Sequence, residues 1–416
     1  MNRLAEADSA AHDWYRFVLS YPAHLVRHYL DRFGIDAGST VLDPFCGTGT
    51  TLVECKKHGI GSIGIEAHPM TAFASRVKVD WRPDPAALIA HAEQVAAEAT
   101  ERFAANGDNA PLRTLPAEAT KLLLANSISP LPLHKTLGLL DVLQEQDDAR
   151  FTPHERLALA QALVYSISNL HFGPEVGVGK PKADAPVVDP WLSNVRVMAR
   201  DLTTLQEAGL ADVPARVINA DARDLLNVLE PASVDAIICS PPYPNEKDYT
   251  RTTRLETVLL GFAETKAELQ TIKRGLVRSN TRTVYKGDDD DQYVSSVPEI
   301  ERIAREIEER RLELGKTSGF ERLYHRVTKL YFGGMAKHFA DLRTILKPGA
   351  HLAYVVGDQA SYLRVMIRTG QLLAEIAERL GYEVVSLDLF RTRLATASRE
   401  QLREEVVVLR WPGWAP

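Results

Sequence analysis

The chain has 416 residues, 45% of them hydrophobic and 25% charged, with a formal net charge of −6. That is ordinary for a globular protein; no apolar run approaches the roughly 18 residues of a membrane span, and the acidic balance speaks against a nonspecific nucleic-acid coat while allowing a local basic surface. Three cysteines (Cys46, Cys55, Cys239) without a CxxC pair indicate neither a disulfide framework nor a zinc site, and the opening MNRLAEADSAAHDWYRF is too acidic and polar for a secretory signal, so a cytoplasmic setting is expected.

In chain order, YPAHLVRHYLDRFG (21–34) carries Leu25, Val26, Tyr29, Leu30 and Phe33 at helical spacing and closes on Gly34. STVLDPFCGTGTTLVECKKHG (39–59) predicts a strand, a glycine-rich turn and a helix, and SIGIEAHP (62–69) a second strand ending in an acid. This is a βαβ unit. From 82 to 210 the periodicity is helical, interrupted by a Gly/Pro-rich loop, FGPEVGVGKPKADAPVVDPW (172–191). Strands return with ARVINADARDLL (215–226) and VDAIICSPPY (234–243), and a polar, mostly helical second insertion covers 262–325. A helix at 324–346, the strand of LKPGAHLAYVVGD, a helix ending at Gly381 and the strands YEVVSLDLF and EEVVVLRW complete the pattern. The expected fold is α/β: a doubly wound, mostly parallel sheet with mainly helical insertions. Its core occupies 1–81, 211–261 and 326–416.

In Asp43-Pro44-Phe45-Cys46-Gly47-Thr48-Gly49-Thr50-Thr51 the glycines let the backbone turn tightly at a strand's carboxyl end, where ligands of open α/β sheets bind. Glu66 ends the next strand nineteen residues beyond Gly47, where a carboxylate meets ribose hydroxyls. No GK[ST] follows, so a nucleoside triphosphate is disfavoured. A dinucleotide would want glycine where Leu52 stands, and its pyrophosphate would be repelled by Asp43. An acid opening the loop suits a ligand with a positive amino group, as S-adenosylmethionine has.

The second stretch is Ser240-Pro241-Pro242-Tyr243, which ends an apolar strand in residues that a central strand cannot hold. DPFCGTGTT followed by SPPY resembles the S-adenosylmethionine-dependent DNA amino-methyltransferases, which methylate the exocyclic nitrogen of cytosine or adenine. YPAH, NADARDL (219–225) and LKPGAHLAYVVGD resemble further segments of that family, so the resemblance covers the core. It implies a Rossmann-like class I methyltransferase fold and cofactor contacts at Tyr21, Asp43, Phe45, Cys46, Gly47, Thr48, Gly49, Thr50, Thr51, Glu66, Asp221 and Ala222. Asp221 would take the adenine amino group.

The resemblance also assigns catalysis to Ser240, Pro241, Pro242 and Tyr243. An exocyclic amine is a poor nucleophile because its lone pair is delocalised into the ring. The Ser240 side chain and the Pro241 carbonyl would accept its hydrogens, and Tyr243 would stack on a base flipped from the duplex. Serine at the first motif position is typical of cytosine-N4 enzymes and aspartate of adenine-N6 enzymes, so N4 of cytosine is the expected target and N6 of adenine the alternative. Cys239 and Cys46 read as packing residues. His68 and His171 read as structural, and no metal is expected.

Implied partners are double-stranded DNA and, in a restriction-modification pair, a cognate restriction endonuclease. Two regions compete to read the target. The motif order points to the 82–210 insertion. The second insertion offers Lys273, Arg274, Arg278, Asn280, Arg282 and Lys286, opposed by Asp288 to Asp291. The weaker candidates Lys180 and Lys182 lie in the GKPK segment. A rival reading is a tRNA guanine-N2 methyltransferase, which shares the loop but carries aspartate before the prolines and a shorter spacing. A non-catalytic nucleic-acid-binding partner would not need both motifs intact, and a nicotinamide oxidoreductase leaves SPPY unexplained.

Overall fold

The computed structural model describes residues 8–15, 20–105, 111–172, 176–245, 247–394 and 401–414. The first helix, α1 (Ala23–Arg32), buries Leu25, Val26, Tyr29 and Leu30 as its spacing predicts. Strand β1 (Thr40–Asp43), helix α2 (Thr50–Lys57) and strand β2 (Gly61–Ile65) form the βαβ unit, with β1 and β2 parallel and Thr40 opposite Gly61. Helix α3 (Pro69–Lys78) returns along the sheet.

The first insertion follows as α4 (Pro85–Ala105), α5 (Ala117–Leu122), α6 (Pro130–Glu145), α7 (Thr152–Ala162), a π-turn over Leu163–Ile167, and α8 (Val188–Glu207). Between them the expected Gly/Pro-rich loop holds a small antiparallel pair, β3 (Leu170–Phe172) with β4 (Val176–Val178). Its residues 173–175 lie outside the described residues. Gly177 makes the pairing possible, since a Cβ there would sit 2.0 Å from the His171 ring.

The core resumes with β5 (Ala215–Ile218) and β6 (Val234–Cys239). Short helices α9 (Tyr249–Thr252) and α10 (Arg254–Leu259) precede the second insertion. That insertion contains α11 (Lys266–Arg274), opened by a Thr265–Glu268 capping box, and α12 (Pro298–Glu313). Then come α13 (Tyr324–Ile345), β7 (Leu346–Gly357), α14 (Thr369–Arg379), β8 (Glu383–Leu394) and β9 (Gln401–Arg410).

The seven-stranded sheet has the order β5-β2-β1-β6-β7-β9-β8. Its first five strands are parallel, β9 runs antiparallel between β7 and β8, and β8 therefore points the same way as the first five. It is the expected doubly wound, mostly parallel, Rossmann-like sheet. Burial on both faces explains why Val41-Leu42 and Ala236-Ile237-Ile238-Cys239 are unbroken apolar stretches rather than alternating ones. On one face Leu42, Ile237 and Tyr354 pack with Phe332, Phe339 and Leu373 of α13 and α14. On the other, Val41, Ile238 and Val355 pack with Leu25, Val26 and Tyr29 of α1. The first insertion has its own apolar core around Leu88, Trp191 and Leu202, shared with Leu52 of α2 and Met70 of α3.

Candidate active site

β1, β2 and β6 end at the same edge of the sheet, and a cleft of about 570 Å³ opens there. Gly47 and Gly49 turn the chain out of β1 with φ of 52° and 86°. This left-handed backbone costs a side-chain-bearing residue roughly 1–2 kcal/mol. At Gly49 space also forbids a Cβ, which would lie 2.5 Å from Ser75 Oγ. Gly64 of β2 gives the Cys46 side chain its room in the same way, at 2.8 Å. Burial pushes the Cys46 and Cys239 thiols well up, so both are inert packing groups.

Glu66 sits on the cleft wall. Its Oε2 accepts the Gly47 N–H at 2.9 Å and its Oε1 the His68 N–H at 2.7 Å. Burial raises its pKa, and those two donors hold it back. The carboxylate is thus fixed between the turns that follow β1 and β2. Tyr21, Phe45, Cys46, Gly47, Thr48, Thr50, Asp221 and Ala222 share that wall. The Asp221 carboxylate is held by Arg223, whose Nη1 reaches Asp290 of the second insertion at 2.5 Å.

Asp43, Gly49 and Thr51, expected as ligand contacts, are not among the residues of the cleft wall. Asp43 is fully buried. Its Oδ1 accepts the Phe45 N–H at 3.0 Å, and its Oδ2 accepts Thr51 Oγ1–H at 2.6 Å. Thr51 Oγ1 also lies 3.0 Å from the Ile238 carbonyl and meets the Tyr21 hydroxyl. Burial pushes the Asp43 carboxyl up to about 7. Asp43 therefore ties the loop, through Thr51, to β6 and to Tyr21 just before α1.

At the other end of the cleft stand Ser240, Pro241, Pro242 and Tyr243. Ser240 follows β6 and donates its Oγ hydrogen to the Val355 carbonyl of β7 at 3.0 Å. The hydroxyl carries one proton. With that proton on Val355, Oγ keeps lone pairs to accept a hydrogen bond, and the Tyr243 side chain is also within its hydrogen-bonding reach. The Tyr243 ring lies against Gly357, where a Cβ would come within 3.2 Å of Cε2. Burial and the Glu404 carboxylate raise its phenol to about 12.

The second insertion builds the facing wall with Leu276, Val277, Ser279, Asn280 and Thr283. Of its candidate nucleic-acid contacts, only Asn280 reaches the cleft. It is itself a structural anchor, donating to the Lys247 carbonyl at 3.1 Å and accepting the Arg282 N–H at 3.0 Å. Arg278 corrects the expectation of a phosphate contact. It is buried, its Nε and Nη2 are bound to Asp288 at 2.9 Å, and its Nη1 is spent on the carbonyls of Lys273, Arg274 and Leu276. Lys273 pairs with Asp248 at 3.2 Å. Arg274, Arg282 and Lys286 are exposed but lie outside the cleft wall. Lys182 is occupied by the Ser166 carbonyl at 2.7 Å.

Sequence reasoning missed the residues that β8 and β9 bring to the cleft: Phe390, Arg391, Arg393 and Glu404. β8 runs four residues past the expected strand, through RTRL, and the alternation of Arg391 and Arg393 was its only sign. His68 also lines the cleft. Its Nε2 meets Thr253 Oγ1 at 3.2 Å, while among the described residues its Nδ1 has no partner. Burial and nearby Arg254 lower its pKa to about 4, so it is neutral.

The cleft is polarised. The turns after β1, β2 and β5 contribute the carboxylates Glu66 and Asp221 and no lysine or arginine, whereas Lys247, Arg391 and Arg393, the two arginines sharing Glu404, stand at the SPPY end.

A family model described as "DNA methylase", for N6 and N4 methylation, matches residues 6–72, the stretch that carries the glycine-rich loop and Glu66. The Type II methyltransferase M.BsoBI of Geobacillus stearothermophilus is 24% identical over 451 aligned positions, covering 98% of this chain and 85% of that protein. M.AvaI of Nostoc sp. is 23% identical over 442 positions, covering 96% and 86%. M.MjaII of Methanocaldococcus jannaschii is 44% identical over 55 residues, 13% of this chain and 10% of that one. These matches support a DNA methyltransferase of the N4/N6 kind, with S-adenosylmethionine as its methyl donor.

Proposed function

We propose that the chain transfers a methyl group from S-adenosylmethionine to the exocyclic N4 of cytosine in double-stranded DNA. The observation that carries the reading is Ser240. With its proton on the Val355 carbonyl, it offers the cleft a neutral acceptor just past the end of β6.

The acid-lined half of the cleft fits the cofactor, which is cationic and carries a ribose diol and an adenine amino group. Glu66, prefixed by two backbone N–H groups, would take the ribose hydroxyls. Asp221 would take the adenine amino group, and Phe45 and Tyr21 supply apolar wall. When bound, the cofactor supplies an electrophilic methyl group. The chain's own contribution is positioning and hydrogen bonding. Ser240 Oγ and the Pro241 carbonyl would accept the two amine hydrogens, drawing the nitrogen lone pair out of conjugation. The two prolines hold those oxygens in a fixed backbone. The Tyr243 ring, seated on Gly357, offers the flipped base a stacking face.

The test is incubation of the purified protein with labelled S-adenosylmethionine and unmodified genomic DNA, followed by nucleoside mass spectrometry. Label in N4-methylcytosine is expected. Label in N6-methyladenine would keep the reaction and overturn the base, and label in transfer RNA alone would overturn the substrate.

A further inference from the structure

We infer that the β8–β9 hairpin, with Arg368 at the start of α14 beside it, carries the phosphate-binding rim for DNA, Arg391, Arg393, Arg403 and Arg368 gripping the backbone beside the flipped base. The inference rests on the proposed DNA substrate and assigns the grip to a part of the chain that the sequence motifs left aside.

Four guanidiniums converge here on three buried carboxylates. Arg391 and Arg393 both bridge Glu404, at 2.5 and 3.4 Å. Arg368 and Arg403 both bridge Asp358 Oδ2, at 2.5 and 3.2 Å, and Arg403 also reaches Glu405 at 3.1 Å. The acids are at most 9% exposed, while the arginines are 30–44% exposed. If the arginines served only to neutralise the acids, one buried partner for each would suffice. Instead the acids act as pivots, fixing arginine side chains that stay partly exposed, although Arg403 Nη2 itself is buried. An arginine held in this way loses less side-chain entropy on meeting a phosphate, and its planar fork suits phosphate oxygens.

The rim is tied to the target end of the cleft. β9 places Glu404 opposite Gly357, two residues past the Val355 carbonyl that holds Ser240. Arg391 and Arg393 themselves line the cleft. The competing basic loop spends Arg278 and Lys273 on internal pairs, and its exposed Arg274, Arg282 and Lys286 lie outside the cleft wall. On a chain of net charge −6, the local excess of cations is where a polyanion would settle.

The test is equilibrium binding of the full chain to unmodified duplex DNA across about 50–200 mM salt, where each lost phosphate contact lowers the log–log slope by about 0.9. Arg391→Gln with Arg393→Gln should weaken binding at least tenfold and lower the slope by about 1.8. The Arg391→Lys, Arg393→Lys protein should keep most of the slope. Cofactor binding by calorimetry should match wild type in both, which reports an intact fold. An unchanged slope in the glutamine variant, or the full loss appearing instead in Arg274→Gln with Arg282→Gln and Lys286→Gln, would overturn the inference. A wild-type protein that binds structured RNA but no duplex DNA would overturn it together with the substrate reading, and the wild-type titration alone distinguishes that failure from the others.

Discussion

The two insertions differ in what they do for the cleft, and the connectivity of the sheet explains why. The first leaves after α3 and rejoins at β5. α3 runs back from the carboxyl end of β2, so both junctions lie at the amino ends of the parallel strands, away from the cleft. None of its described residues lines the cleft. The second leaves after β6 and rejoins at α13, the helix that runs back toward the start of β7. It therefore emerges at the carboxyl ends and supplies a wall. Where an insertion enters a doubly wound sheet matters more to the site than its size or charge. The 82–210 segment, which motif order favoured for target reading, is in this respect a flank.

Substitutions at the centre of each region test that contrast. Trp191 of α8 is fully buried and donates its indole N–H to the Glu155 carbonyl at 2.8 Å. Trp191→Ala should cost about 3–5 kcal/mol of stability, yet leave the Ser240–Val355 contact undisturbed. Denaturant melts together with turnover per folded molecule would show this, and a collapse of turnover in fully folded protein would make the first insertion part of the site. Ser240→Ala should do the reverse. Its melting should stay near wild type while kcat falls by roughly 10²–10³-fold, with cofactor affinity unchanged. Parallel loss of cofactor affinity would mean that Ser240 serves the other end of the cleft.

Glu66→Gln sharpens the division inside the cleft. Gln keeps an acceptor for one of the two N–H groups at Gly47 and His68, but loses the charge. Hydrogen bonds to charged groups contribute about 1.5–3 kcal/mol, so cofactor affinity should fall by roughly ten- to a hundredfold while DNA binding stays. Weaker DNA binding with unchanged cofactor affinity would reverse the assignment of the two ends.

Legibility in the sequence followed the same division. The βαβ unit, α13 and the close of α14 before Gly381 were readable because apolar spacing and glycine stops are local signals. The glycine turn and Glu66 were readable because their spacing is fixed by a strand and a helix of ordinary length. Asp43 misled because composition gives the acid but not the direction of its side chain. Arg278 misled because its partner Asp288, ten residues on, pairs with it inside the loop rather than balancing it in solvent. The β3–β4 pair hid under glycines, and the end of β8 hid under arginines. In both places pairing with the neighbouring strand forms despite weak β-propensity.

The smallest expected effect concerns Asp43, and it tests whether the acid acts from behind the loop or within the cleft. Burial raises its carboxyl to about 7, so the folded chain holds a proton there that the unfolded chain releases near the usual carboxylate range. Between about pH 4 and 7 the folded state binds the extra proton, and stability at this position falls as pH rises. Above about 7 both states are ionised and the dependence ends. Asp43→Asn removes the titration with little change of shape: its amide oxygen can accept the Phe45 N–H, its NH2 can donate to Thr51 Oγ1, and Thr51 can donate to the Ile238 carbonyl. The midpoint of urea unfolding for the variant should therefore gain on wild type from about pH 4 to about 7 and run parallel above it. A constant gap across that range would mean that Asp43 ionises in the ordinary range. The carboxylate would then be charged at neutral pH, as direct pairing with a cationic ligand requires.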